Sequence, residues 1–264
     1  MIDGKRPVLS PRLQAMLDFM NDYNVPRKII ADIGTDHAYL PIAAIRQGLC
    51  CAAIACDLHP GPLAIADRNI GEAGLSDKIE TRLGNGLLPL SPSEADCIAI
   101  GGMGGMRIWG ILLEGMAQAQ QAKRLILQPQ HDTVLLRKRL HGAGFEIQDE
   151  QLVREVAAGK ELFYVVIGAQ YTNETFSWSE REYFIGKFLL DKGGKDFAAY
   201  MQREREKIDA YISQIRDEAA LLEAKKRLEW LAYTNLRKSR RQPSGKSAAL
   251  SRFSRCVVDD DFRD

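Results

Sequence analysis

The stretch Ile29-Ile30-Ala31-Asp32-Ile33-Gly34-Thr35-Asp36-His37-Ala38-Tyr39-Leu40-Pro41 decides how the rest of the 264-residue chain is read. An apolar run of strand length stops at Asp32, turns on Gly34 and passes through polar Thr35-Asp36-His37 into a helical pattern. This is the first strand–turn–helix of a nucleotide-binding α/β fold. Gly34 lets the turn approach a ligand without a Cβ in the way. Asp36 and Ala38 stand where the common glycine-rich form carries further glycines. A diphosphate near Asp36 would be repelled, whereas a ligand with a sulfonium and an amino group would not. The loop therefore fits S-adenosylmethionine better than a nicotinamide dinucleotide.

Short apolar runs and helical segments alternate outward from this stretch. Strands are predicted over 28–33, 51–57, 78–83, 95–101, 123–128, 145–154 and 162–168, and helices over 38–47, 62–73, 106–118 and 132–142. The alternation implies βαβ units and a mostly parallel sheet. The last two strands are separated by a short turn, so they form an antiparallel hairpin at the sheet edge. An amphipathic helix over 11–23 precedes the sheet, with Ser10 as its cap and Pro11 in its first turn. After Trp178 the chain becomes helical and highly charged over 179–191 and 195–233, and Gly193-Gly194 marks the break of a helical hairpin. The expected fold class is α/β: a Rossmann-like class I methyltransferase domain over 1–170, a helical, coiled-coil-like hairpin over 171–233 and a basic, disordered tail over 234–264.

Several residues follow the ends of successive strands. Asp57 ends the second strand, where an acidic side chain binds ribose hydroxyls. Asn85, in Leu83-Gly84-Asn85-Gly86, follows the third and is placed to hydrogen-bond an adenine edge. Gly101-Gly102-Met103-Gly104-Gly105 follows the fourth, and so many glycines at a strand's carboxyl end imply backbone close to a ligand. Asp32, Gly34, Asp36, His37, Asp57, Asn85, Gly86, Gly102 and Met103 are the expected cofactor-binding set, each of which is alone also compatible with an ordinary turn. Met103 leans either on the transferred methyl or on the target base. His37 is a ligand contact or a packing histidine, and Tyr39 stacks on a base or simply packs. Gln128 touches the target base or shapes a turn, and Arg12 reaches substrate or lies on the exposed face of the first helix.

Composition excludes little. A net charge of +1 says nothing about partners, although its distribution does: Arg237–Arg255 contains seven basic residues and no acidic one. Such a tail either contacts RNA or solubilises the chain. The cysteines at positions 50, 51, 56, 97 and 256 form no C-x-x-C pair and lie near no histidine at ligand spacing, so they are expected as buried thiols and no metal is expected. No apolar run reaches the roughly 18 residues of a membrane span, and the expected location is cytoplasmic, without a membrane or an obligate protein partner.

At Ile30–Pro41 the chain resembles the tRNA (adenine-N1)-methyltransferase family called TrmK, which modifies the adenine at position twenty-two of tRNA. The resemblance continues through Gly84-Asn85-Gly86-Leu87, Gly102–Gly105, Leu125–Pro129 and the Arg154–Tyr164 hairpin, and covers roughly 10–225. It implies cofactor contacts from Gly34, Asp36, His37, Asp57, Asn85 and Met103 and a substrate-side role for Arg12 and Tyr39. Asp57 stands where relatives often carry Glu, and the segment after about 233 has no family counterpart.

The N1 atom of neutral adenine already has a lone pair, so methyl transfer to it needs alignment and dryness rather than a strong base. The product ring is cationic, and a carboxylate is wanted nearby. Asp36 is the candidate, unless it is committed to the cofactor's amino group, and Asp36 with Tyr39 forms the expected catalytic pair. N1 lies on the Watson–Crick edge, so the adenine must be exposed first. Arg203, Arg205, Lys207, Lys225, Lys226 and Arg227 on the helical arm offer backbone contacts to tRNA, or else a solvated, ion-paired face. The rival functions are methylation of a small molecule or protein, and a non-catalytic RNA-binding scaffold.

Overall fold

A computed structural model describes residues 9–21, 29–157 and 159–239. Its sheet is built from β1 (Ile29–Ile33), β2 (Ala52–Asp57), β3 (Ile79–Leu83), β4 (Cys97–Met103), β5 (Arg124–Pro129), β6 (Phe145–Ala157) and β7 (Lys160–Tyr171). The order across the sheet is β3-β2-β1-β4-β5-β7-β6. The first five strands run parallel, and β7 is antiparallel to both β5 and β6. The order reverses between β1 and β4, whose carboxyl ends carry the Gly34 turn and the Gly101–Gly105 run. In open α/β sheets that crevice is where ligands bind.

Helices cover both faces. α1 (Pro11–Asn21), α2 (Tyr39–Arg46) and α3 (Pro60–Ala73) cover one, with Met16, Leu17, Leu40, Ala44 and Ala66 packed on Ile30, Ala53, Ala99 and Ile126. α4 (Gly105–Glu114), α5 (Met116–Gln121) and α6 (Thr133–Gly142) cover the other, over Ala31, Ile98, Leu125 and Ile167. Burial on both faces explains why β1 and β5 read as continuous apolar runs rather than alternating ones. Ser10 caps α1 as expected: its Oγ accepts from the Leu13 N–H at 3.4 Å, and its carbonyl from the Gln14 N–H at 3.0 Å. The expected end of that helix, at 22–23, lies outside the described residues.

The helical region departs from the expected pattern. The segment 179–191 is two short helices, α7 (Glu180–Ile185) and α8 (Lys187–Lys192), broken at Gly186, whose φ is +106°. The segment 195–233 is α9 (Lys195–Ile212) and α10 (Glu218–Ser239), which pack on each other. The hairpin therefore turns at 213–217 and not at Gly193-Gly194, which separates α8 from α9. Phe197, Met201, Ile208, Ala224 and Leu231 join the apolar cluster beneath the sheet, so the arm shares the core of the main body. α10 extends past the boundary expected at 233, and the rest of the basic tail, 240–264, lies outside the described residues. Cys50, Cys56 and Cys97 are buried as expected, whereas Cys51 is exposed and Cys256 lies outside the described residues.

Candidate active site

Two cavities open at the carboxyl ends of the strands and meet at Gly34. One, of about 310 Å³, is lined by Gly34, Asp57, Asn85, Gly86, Met103 and the face of α4 that carries Arg107, Ile111 and Glu114. The other, of about 160 Å³, is lined by Arg12, Asp32, Gly34, Asp36, His37, Tyr39, Gly102 and Gln128. The structure thus gathers the residues expected to bind cofactor and base around one crevice, although 116 positions separate Arg12 from Gln128.

The Gly34 turn is held by β2: the Gly34 and Thr35 amides both donate to the Cys56 carbonyl, at 2.8 and 3.0 Å. Gly34 has φ +77°, and a Cβ there would lie 2.4 Å from the terminal methyl of Met103. Asp36 and Ala38 also have positive φ, 21° and 56°, so the turn bends sharply where a glycine-rich loop would. Ala38 is fully buried, and this backbone places Asp36, His37 and Tyr39 on the rim. The Asp36 carboxylate lies 3.3 Å from His37 Nε2. The His37 ring stacks on Tyr39 with centroids 5.2 Å apart. Asn69 fixes the same turn by donating to the His37 carbonyl at 2.9 Å.

Asp32 sits behind the turn. Its carboxylate is buried and accepts the Thr35 hydroxyl at 2.7 Å. Burial lifts its pKa to about 6, with the Asp57 charge adding to the rise and the Thr35 bond opposing it. Asp57 caps the turn after β2, where its Oδ1 accepts the His59 amide at 2.8 Å. The Asn85 side-chain amide donates to the Glu114 carboxylate at 2.8 Å. Gly86 has φ +53°, and a Cβ there would come within 2.9 Å of Ile111, so the loop after β3 lies directly on α4.

Gln128 is wholly buried, with both ends of its amide engaged. Its Oε1 accepts from the Gly102 N–H at 3.0 Å and from Arg12 at 3.3 Å, and its Nε2 donates to the Pro129 carbonyl at 3.0 Å. Arg12 also lies over the Tyr164 ring, 5.3 Å from its centroid. Gly104 and Gly105 admit His131 and Asp132, which a Cβ at either glycine would strike. Sequence reasoning passed over Thr35, Glu114 and Tyr164. Thr35 lay inside the motif already singled out, while Glu114 and Tyr164 are remote in sequence from their partners.

Four of the arm cations are held by acids or backbone. Arg205 pairs with Asp209, Lys207 with Glu204 and Arg227 with Glu223, and Arg203 bonds the Glu161 carbonyl. Lys225 and Lys226 are exposed, with Lys226 over Trp230.

The crevice tests its own ligand. Its lining carries the acids Asp32, Asp36, Asp57 and Glu114 against the cations Arg12 and Arg107. Glycines at Gly34, Gly86 and Gly102 keep the backbone bare where it is approached. Such a lining disfavours a diphosphate and suits an amino acid–nucleoside bearing a sulfonium. No cluster of His, Cys, Asp or Glu able to hold a metal occurs among the described residues.

Comparison with known proteins agrees with this geometry. Residues 30–234 match the family described as TrmK: tRNA (adenine(22)-N(1))-methyltransferase. The Bacillus subtilis tRNA (adenine(22)-N(1))-methyltransferase is 32% identical over 227 residues, which are 85% of this chain and 92% of that protein. A Streptococcus pneumoniae protein solved in complex with S-adenosyl-L-methionine superposes with a TM-score of 0.75 at 30% identity, covering 86% of this chain and 99% of that one. Mycoplasma capricolum TrmK, solved with S-adenosyl-homocysteine, gives 0.72 at 27% identity, covering 86% and 98%. The chain belongs to the TrmK family of tRNA (adenine(22)-N(1))-methyltransferases.

Proposed function

We propose that the chain transfers the methyl group of S-adenosyl-L-methionine to N1 of adenine 22 in tRNA. The observation that carries this reading is the paired crevice at the sheet's switch point, lined by acids and bare glycine backbone.

The residues divide by cavity. Asp57 accepts the ribose hydroxyls, since its first oxygen is taken by the His59 amide and the second is left for the ligand. Asn85 and Gly86 meet the adenine, and Gly34 with Met103 lines the passage between the cavities. Asp32, behind the turn, faces the amino acid end, and Asp36 and His37 stand on the rim beside it. The cosubstrate supplies a methyl group on a positively charged sulfur, and the acids of the crevice stabilise that charge when it binds.

On the substrate side, Tyr39 and His37 offer a stacked shelf to an unpaired adenine. Gln128 does not read the base. It holds the Gly102 amide and Arg12 in place, and so fixes one wall of the cavity. No side chain has to remove a proton from N1, so rate comes from holding nucleophile and methyl in line in a dry site. Asp36, on the rim, stabilises the positive charge that develops on the base. The chain is read as a methyltransferase body over 1–170 and a helical arm over 171–233 that meets the tRNA backbone through its exposed lysines, and as a cytoplasmic protein because its substrate is tRNA.

Binding of S-adenosyl-L-methionine, followed by calorimetry, tests the cofactor half. Asp57→Ala is expected to weaken it by about tenfold or more. Unchanged affinity would remove Asp57 from the site.

A further inference from the structure

Asn85 and Glu114 are 29 positions apart and meet at one wall of the larger cavity, where the Asn85 amide donates to the Glu114 carboxylate at 2.8 Å. An asparagine amide presents a donor on one side and an acceptor on the other, and turns over easily when nothing fixes it. A carboxylate only accepts. The atom of Asn85 that faces Glu114 must therefore be Nδ2, and Oδ1 is left as the acceptor for a ligand.

The position of Glu114 strengthens the point. It is the last residue of α4, where the helix dipole favours a cation and disfavours a carboxylate. Arg107, Ile111 and Glu114 line the cavity from one face of that helix, and Gly86 seats the Asn85 loop on Ile111. The loop and the helix end are thereby held at a fixed spacing.

We infer that Glu114 is a positioning residue which sets the polarity of the Asn85 amide, so that the site accepts a purine bearing a donor at its 6-position and rejects one bearing an acceptor there. This deepens the proposed function and rests on its assignment of the Asn85 cavity to the nucleoside. The 6-amino group of adenine donates, whereas the 6-oxo group of hypoxanthine accepts and meets Oδ1 lone pair to lone pair.

The test is calorimetric binding of S-adenosyl-L-homocysteine and S-inosyl-L-homocysteine to the full chain and to two variants. The unaltered chain is expected to prefer the adenosyl compound by at least about tenfold. Glu114→Gln keeps the shape of the side chain but faces Asn85 in either orientation, and Glu114→Ala removes the partner. In both, the preference is expected to fall to within about threefold while both compounds still bind. A preference kept at about tenfold in Glu114→Gln and Glu114→Ala overturns the inference, because a role in packing alone lowers both affinities together and leaves their ratio unchanged. Failure of the unaltered chain to bind S-adenosyl-L-homocysteine overturns the functional reading along with it.

Discussion

The terminal methyl of Met103 lies so close over Gly34 that a Cβ on the glycine would come within 2.4 Å of it. Gly34 lines both cavities of the crevice, and Met103 leans across the point where they join. The first and fourth strands are thus tied together at the place where a ligand reaching from one cavity to the other has to pass.

Gly34→Ala is therefore expected to damage the site more than the fold. The φ of +77° makes alanine strained by about 1–2 kcal/mol, and the added methyl displaces Met103 into the passage. Thermal denaturation would show a modest loss of stability. Calorimetry would show S-adenosyl-L-methionine affinity reduced by more than about tenfold, beyond what the strain alone explains. Wild-type affinity in this variant would mean that the passage is not used.

Asp32 gives the site a pH dependence. Its carboxyl has a folded pKa of about 6, raised from the ordinary 3.8 of an aspartate, so the native state holds more protons between these values and stability falls as pH rises through that window. Asp32→Asn keeps an acceptor for Thr35 and removes the cost of ionisation. It is expected to stabilise the chain above pH 6 by at most about 3 kcal/mol, with the gain shrinking toward zero as pH is lowered through about 4. His141 works in the opposite sense: burial holds its pKa near 4, so its contribution is lost as pH falls from 6.5 toward that value. Measuring both proteins at each pH cancels the histidine. The unaltered chain should also bind S-adenosyl-L-methionine more tightly as pH rises through about 6, a slope absent from Asp32→Asn, because a cationic ligand favours the ionised carboxyl.

Gln128 and Arg12 share a hydrogen bond but should respond differently to removal. Gln128→Ala leaves the buried Gly102 amide without its partner and is expected to cost about 1–3 kcal/mol in urea denaturation. Arg12→Ala should change stability by only about 0.5 kcal/mol, yet lower kcat/KM for tRNA by about tenfold or more. A stability loss in Arg12→Ala as large as that in Gln128→Ala would make the arginine a packing residue.

Arg137 and Glu150 anchor the helical arm. They pair at 2.6 Å with both side chains buried, and Arg137 also donates to the Tyr183 carbonyl of α7 at 2.9 Å. Burial pushes the Glu150 carboxyl above its ordinary range, and Arg137 opposes that push. Arg137→Met alone strands the carboxylate and is expected to cost about 3–5 kcal/mol, whereas Arg137→Met with Glu150→Leu should recover most of the loss. Equal instability in the single and double variants would show that the bond to the Tyr183 carbonyl matters more than the pair.

The sheet was legible because its signals are local. Strand runs such as Ile29–Ile33 end on glycine turns, helical spacing fills the gaps, and the handedness of βαβ units leaves few ways to assemble them. The arm was less legible. Residues 213–217 contain neither Gly nor Pro, and α10 begins there because Asp217 accepts the Ala220 amide at 2.7 Å, a cap easily missed inside a charged run. The conspicuous Gly193-Gly194 pair marks a real break, but a different one. Within the site, Asp57 and Asn85 were visible from their places after strands. The roles of Gln128 and Glu114 were not, because each depends on a partner across the fold.

The most direct measurement is methyl transfer from labelled S-adenosyl-L-methionine into an unmodified tRNA transcript carrying adenine at position 22, with nucleoside mass spectrometry of the product. The expected result is 1-methyladenosine as the labelled nucleoside, with no label when the same transcript carries guanine at that position. Label in another nucleoside, equal label in the guanine transcript, or none at all from a chain that binds the cosubstrate would contradict the proposed function.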